Sequence, residues 1–370
     1  MRSILSLVTL ALMNTKSLIA TAASADGLSR RRFITGACAA TIGFGTPCLS
    51  AQTRLEKPKV LIALDGKASF HHLPLMVADQ LGYFKAEGLE VEFVDMLGSA
   101  KAQQALASGI ADVCAGAFHQ VLQLHSKNQS VRAFVLQGRT PQCAFGLSTK
   151  SLPVKALIAD LLGKKIGVPE LGSTSHLLAS TALMRAGIKP ADVSYVVVGN
   201  GTSAINALRE GQVDALSHTE PVITTLELRS EIKTINDART LSGAKAVFGG
   251  TMPAACLYAP EEFLQKLPKT SQALANAVVH SLKWLQTAGP SDIIKTVPES
   301  YFSGDRSMYL AAFSKLRESI CLDGLMLEDG PRTSLRALAG FDTTVETLKV
   351  DLQKTFTNQL AQRAKERFKS

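Results

Sequence analysis

Ala78-Asp79-Gln80-Leu81-Gly82-Tyr83-Phe84-Lys85-Ala86-Glu87-Gly88-Leu89-Glu90-Val91-Glu92 is the stretch from which the fold is read. Apolar residues over 73–83 recur at helical spacing, and residues 89–94 read as a strand. The same alternation continues on both sides. Strands are predicted at 59–64, 111–114 and 131–137, with helices at 100–109 and 118–125. The pattern then starts again. A strand at 165–168 opens into Gly172-Ser173-Thr174-Ser175-His176 and a helix to 186. Strands at 194–198, 213–216 and 232–235 follow, separated by helices at 203–210 and 222–228. Strands divided by helices of this length imply parallel α/β sheets, and two successive runs imply two lobes.

Residues 142–150 and 246–258 are strand-like with Gly or Pro punctuation, and are expected to cross between the lobes. The first lobe is then discontinuous, residues 58–143 plus 252–342, and the second is 144–251. From 261 onward the pattern is mostly helical. Residues 343–370 are expected to form a C-terminal helical extension, with one helix over 345–368.

The chain has 370 residues, 46% of them hydrophobic, enough for one large domain or two lobes with separate cores. Its N-terminus reads as a leader. Ser29-Arg30-Arg31-Arg32-Phe33-Ile34 precedes a weakly apolar stretch and small residues near Ala51, which resembles a twin-arginine export signal over 1–51. A second apolar segment, residues 4–13, leaves Met1 and Met13 both open as starts. The formal charge is +9, but five basic residues and one acid precede Gln52, leaving 35 basic and 30 acidic residues. A spread excess of +5 gives no basic face for nucleic acid, and no run after the leader is long enough to span a bilayer.

Of the 6 Cys, Cys38 and Cys48 fall in the leader. Cys114, Cys143, Cys256 and Cys321 are far apart without a Cys-x-x-Cys pair, so they read as buried free thiols, with one disulfide left open. No metal site or cofactor is expected.

In an open parallel sheet, ligands meet the C-terminal strand ends and the helix N-termini beyond them. The segments there are small, polar and Gly-containing. The sharpest is Gly172-Ser173-Thr174-Ser175-His176, where hydroxyls and backbone N–H groups converge on a helix start. Ser173 or Thr174 is either a helix cap or a contact for a polar or anionic solute group. Ser99, Asn200 and Thr219 complete the polar edge. His71 and His72 lack metal-ligand partners at suitable spacing, and are taken as solute contacts or structural histidines. Glu220 reads as a cleft-rim charge, with Asp214 a weak acid/base partner. Phe70 and Phe118 stack on a solute ring or pack in the lobe. No Gly-Lys-Ser/Thr phosphate loop and no Gly-x-Ser-x-Gly elbow occurs.

Residues 78–92 resemble the A-x-x-x-G-[YF]-F-x-x-E-G-L-x-V segment of ABC-importer solute-binding proteins of the nitrate, sulfonate and taurine type. That superfamily also holds the thiamine-pyrimidine-precursor binders. Leu162-Gly163-Lys164-Lys165-Ile166-Gly167-Val168, Gly211-Gln212-Val213-Asp214-Ala215 with Glu220-Pro221, and Asp323-Gly324-Leu325-Met326 follow in family order. The resemblance implies a type II periplasmic-binding fold with a cleft between two mainly parallel sheets. It also implies a monomer, exported to the periplasm, that is not an enzyme and hands a small organic solute, a sulfonate- or carboxylate-like anion or a pyrimidine-type compound, to an inner-membrane permease; the alternatives are a thiamine-pyrimidine-synthase-like enzyme and a solute-sensing binding protein not coupled to transport. Leu64-Asp65 and His72 are spaced as in the pyrimidine-precursor binders, although Gly66 stands where these carry an aromatic. Eukaryotic pyrimidine synthases share the fold but carry a clustered Cys/His segment that is missing here.

Overall fold

The structure, a computed structural model, describes residues 54–153, 155–302, 305–341 and 350–369. The leader expected over 1–51 and residues 342–349 lie outside the described residues.

Ten strands form two five-stranded sheets. The first runs β2 (Glu90–Asp95), β1 (Lys59–Leu64), β3 (Val113–Ala117), β10 (Ala255–Pro260), β4 (Val131–Leu136). The second runs β7 (Ser194–Val197), β6 (Lys165–Val168), β8 (Ala215–Thr219), β5 (Cys143–Ser148), β9 (Ile232–Asp237). β1 pairs parallel with β2 and β3, and β6 pairs parallel with β7 and β8. Each sheet also takes in one antiparallel strand. β10 lies between β3 and β4, and β5 lies between β8 and β9. Those two strands carry the chain across.

The burial pattern follows from position in the sheet. All five residues of β3 and all six of β5 are buried, as strands covered on both faces must be. The edge strand β2 is nowhere fully buried. Gly146 in β5 is required by close approach, because a Cβ there would lie 2.9 Å from the Lys233 carbonyl oxygen and 2.7 Å from Ile232.

Three departures from the sequence reading have local causes. Residues 246–248 belong to a helix, Leu241–Phe248, whose N-terminus is capped by Thr240 accepting from the Gly243 N–H at 3.0 Å. The second crossing strand therefore starts only at Ala255. Residues 345–368 are not one helix. Short helices Leu352–Thr355 and Gln359–Arg367 flank Phe356, which bridges Ala133 in parallel, and the Thr357 N–H donates to the Ala133 carbonyl at 2.8 Å. This segment covers the outer edge of β4, which would otherwise expose unpaired backbone groups. The Gln359–Arg367 helix packs on the long Pro268–Thr287 helix. Third, the Gly330–Phe341 helix packs on both Phe118–Ser126 beside the first sheet and Thr174–Arg185 beside the second, so it joins the lobes.

Phe118 is fully buried in the first core and meets the Phe356 ring edge-on at 6.5 Å. Phe70 is 4% exposed and stacks on Tyr309 at 4.4 Å. Both are core residues, and neither lines the cleft described below. Phe118→Ala should therefore lower unfolding stability in urea by about 3–5 kcal/mol, the cost of deleting a buried ring. A loss under about 1 kcal/mol would contradict this packing.

Candidate functional site

The strands preceding the cleft run parallel within their sheets, so the loops after them gather at one place. A cleft of about 620 Å³ lies there. Asp65, Asp95 and Ser99 enter from the first sheet, and Glu170, Asn200 and Glu220 from the second.

Of the residues singled out from sequence, His71, Ser99, Ser173, Thr174, Ser175, Asn200, Thr219 and Glu220 line the cleft. Besides Phe70 and Phe118, three others do not. His72 is fully buried, with Nε2 2.7 Å from Asp65 Oδ1, so it orients a cleft carboxylate from behind. Gly172 is used through its backbone: its N–H donates to His176 Nδ1 at 3.0 Å, and its carbonyl accepts from His119 Nε2 at 3.1 Å. His176 turns its ring against Tyr195, with centroids 4.1 Å apart.

The helix start at Ser173 separates into distinct roles. Ser173 Oγ accepts from the His176 N–H at 3.2 Å and is the N-cap of Thr174–Arg185. Ser175 is 1% exposed, and its Oγ has no hydrogen-bond partner among the described residues. The buried Cys143 thiol beside it is its protein neighbour, and the hydroxyl still has hydrogen-bonding capacity for a group entering the cleft.

Carboxylates dominate the wall. Asp95 accepts from the Leu97 N–H at 3.0 Å and the Lys67 N–H at 2.9 Å, tying two cleft loops together. Burial alone would raise the Asp65 pKa, but the hydrogen bond with His72 reverses the sign and keeps it below the ordinary carboxylate range. Glu220 is not a rim charge. It is 2% exposed, and Oε1 accepts from Arg239 Nη1 at 2.5 Å and Thr224 Oγ1 at 2.8 Å, while Oε2 accepts from the Thr224 N–H at 2.9 Å. Asp214 is at the other end of β8, where it accepts from the Lys165 N–H at 3.0 Å, so the two acids cannot act as a pair.

Among the described residues, Lys67 is the one lysine or arginine on the wall, against Asp65, Asp95, Glu170 and Glu220. The histidines add little positive charge. Burial lowers the pKa of both His71 and His218. Carbonyl oxygens of Pro141 and Gly199 lie 2.9 Å from their respective Nε2 atoms, so each ring carries its proton there. Tyr301 brings a ring to the cleft, with its hydroxyl 2.8 Å from Met76 Sδ and its pKa raised to about 12, first by burial and then by Asp95 and Asp79. The four cysteines Cys114, Cys143, Cys256 and Cys321 are free and buried, and none lines the cleft. Burial raises every one of these thiols, Cys114 to about 12 and Cys321 to about 11.

Arg239, which no motif flagged, holds this wall from behind. It is 3% exposed and pairs with Glu220, with Asp237 Oδ2 at 2.7 Å and with Glu227 Oε1 at 2.8 Å. Burial by itself would raise the Glu227 pKa, but hydrogen bonds from Arg239, Lys315 and Thr234 outweigh it and hold it at about 2. The stabilisation from that pairing is thus complete above the ordinary carboxylate range and lost as pH falls towards 2.

A family model described as NMT1/THI5 like matches residues 69–290. A solved structure from Bordetella bronchiseptica RB50 is 47% identical, with a TM-score of 0.82 over 86% of this chain and 100% of that one. The alkanesulfonate-binding protein SsuA from Xanthomonas axonopodis pv. citri, bound to MOPS, has a TM-score of 0.64 at 15% identity, over 84% of this chain and 99% of its own, which establishes the periplasmic-binding fold. Among curated proteins, the Saccharomyces cerevisiae 4-amino-5-hydroxymethyl-2-methylpyrimidine phosphate synthase THI13 is 24% identical over 60% of this chain. The match spans 66% of that relative, just under two thirds of its length.

Removing Arg239 would leave the buried Glu220 carboxylate without its cation. Arg239→Met should therefore cost about 3–5 kcal/mol in urea unfolding at neutral pH. A change below about 1 kcal/mol would mean that Thr224 alone satisfies Glu220.

Proposed function

The chain belongs to the NMT1/THI5-like family, and on that premise we propose that it is an importer-type solute-binding protein for a small, uncharged or cationic nitrogen heterocycle of the aminopyrimidine class. The observation that carries this reading is the charge of the cleft wall, which among the described residues sets four carboxylates, one of them paired with the buried Arg239, against one lysine. A sulfonate about 4 Å from one of these carboxylates would meet a repulsion of about 4 kcal/mol at the effective dielectric of a protein surface, less beside Glu220, whose charge Arg239 offsets. An amino group instead gains charge-assisted hydrogen bonds from the same oxygens. The neutral rings of His71 and His218, the Ser175 hydroxyl and the Tyr301 ring suit a flat polar solute. A volume of about 620 Å³ accommodates one. The yeast relative is itself named for a pyrimidine phosphate, whereas the sulfonate-binding neighbour shares the fold at 15% identity.

The yeast name favours a second reading, a pyrimidine synthase. Against it weigh the four cysteines, all outside the cleft with thiols held in the protonated form. Delivery to an inner-membrane permease, and export through the twin-arginine sequence at Arg30 and Arg31, complete the proposal.

Calorimetric titration with 4-amino-5-hydroxymethyl-2-methylpyrimidine should give saturable one-to-one binding, and mass spectrometry should recover it unchanged. Methanesulfonate at millimolar concentration should give no saturable heat. Tighter binding of the sulfonate overturns the solute class, and a converted pyrimidine overturns the binding role in favour of the synthase. Asp65→Asn should weaken pyrimidine binding about 10- to 150-fold, the value of a hydrogen bond to a charged group. Separately, Arg30→Lys with Arg31→Lys should leave precursor in the cytoplasm, as read by cell fractionation and immunoblotting. Unchanged export would assign the leader function elsewhere.

A further inference from the structure

The Ser99–Ala107 helix begins without a cap of its own. Its N-cap residue is Gly98, and no side chain of its own segment bonds the free N–H groups. The missing cap comes from the other lobe. Glu170, two residues beyond β6, accepts through Oε2 from the Ser99 N–H at 2.8 Å and from Ser99 Oγ at 2.7 Å. Its Oε1 lies 3.4 Å from the Ala100 nitrogen. A carboxylate on free helix N–H groups is favoured by charge-assisted hydrogen bonds and by the positive helix end. A second grip holds the same loop. His119, 1% exposed at the start of Phe118–Ser126, donates from Nε2 to the Gly172 carbonyl at 3.1 Å. Residues 170–172 of one lobe are thus held by two helix starts of the other, and Glu170, Ser99 and Gly98 all line the cleft. Other interlobe contacts, such as Lys315 with Glu227 and the Gln142 N–H with the Ala238 carbonyl, involve residues that do not line it.

We propose that Glu170 is a cleft clasp, a positioning residue whose carboxylate caps the Ser99–Ala107 helix of the opposite lobe and holds the two lobes closed independently of solute. The cap exists only while the lobes are together. Opening leaves the helix N–H groups and the carboxylate to water, so the clasp biases the closed arrangement. The pre-closed fraction then sets the apparent affinity for any solute bound by both lobes. That last consequence rests on the cleft being the solute site. The clasp itself does not.

Small-angle X-ray scattering of the full mature chain without added solute tests the clasp directly, on the parent, Glu170→Ala and Gly98→Asp. The aspartate would give the helix its own cap and repel Glu170, which opens the lobes while preserving the helix. Both variants should show a larger radius of gyration than the parent, with unchanged circular dichroism. Identical profiles for the parent and both variants, whether compact or expanded, overturn the proposal. In titrations with 4-amino-5-hydroxymethyl-2-methylpyrimidine, Glu170→Ala should bind about tenfold more weakly, the fold-change expected from losing a charge-assisted hydrogen bond. No binding of the pyrimidine by the parent would count against the solute class and leave the scattering result to stand alone.

Discussion

β5 and β10 are each hydrogen-bonded on both sides within a sheet otherwise built from the opposite direction of chain travel. Withdrawing either would expose two rows of buried backbone donors and acceptors, each costly to leave unpaired. The chain must therefore cross between the sheets twice, and each lobe is completed by a strand that has just crossed. This constraint also places the cleft. β1, β2 and β3 share one direction and β6, β7 and β8 share another, so the residues that follow them meet between the lobes. Asp65 and Glu220 are the first residues after their strands, Asp95 is the last of its own, and Glu170 is two beyond β6.

Each cleft carboxylate has a different kind of partner. Asp65 has the His72 ring, Asp95 two backbone N–H groups, Glu170 a helix start and Glu220 a buried guanidinium. An ion removed from water keeps its charge only with such compensation. Arg239 contributes its positive charge from behind Glu220 rather than to the cleft surface.

The alternation of strands and helices was legible because parallel strands and amphipathic helices impose different periods on neighbouring residues, and residues 78–92 carry both in succession. The two-lobe organisation was legible for the same reason, since the pattern restarts at 165. The cap at Ser173 followed from a hydroxyl placed before a helical run. By contrast, Phe70 and Phe118 differ from cleft aromatics only in the direction of their side chains, which local sequence does not encode. Likewise, His71 and His72 are neighbours, yet one lines the cleft while the other lies behind Asp65.

By itself the sequence determined the double α/β run, the family and which loops end at strand C-termini, since each is a property of residues near one another along the chain. Only the tertiary structure decided the charge partners. Arg239 is 19 residues from Glu220, and Glu170 is 71 residues from Ser99. Coulombic and hydrogen-bond energies depend on distance through space, and that distance exists only after two sheets have exchanged strands and closed on one another.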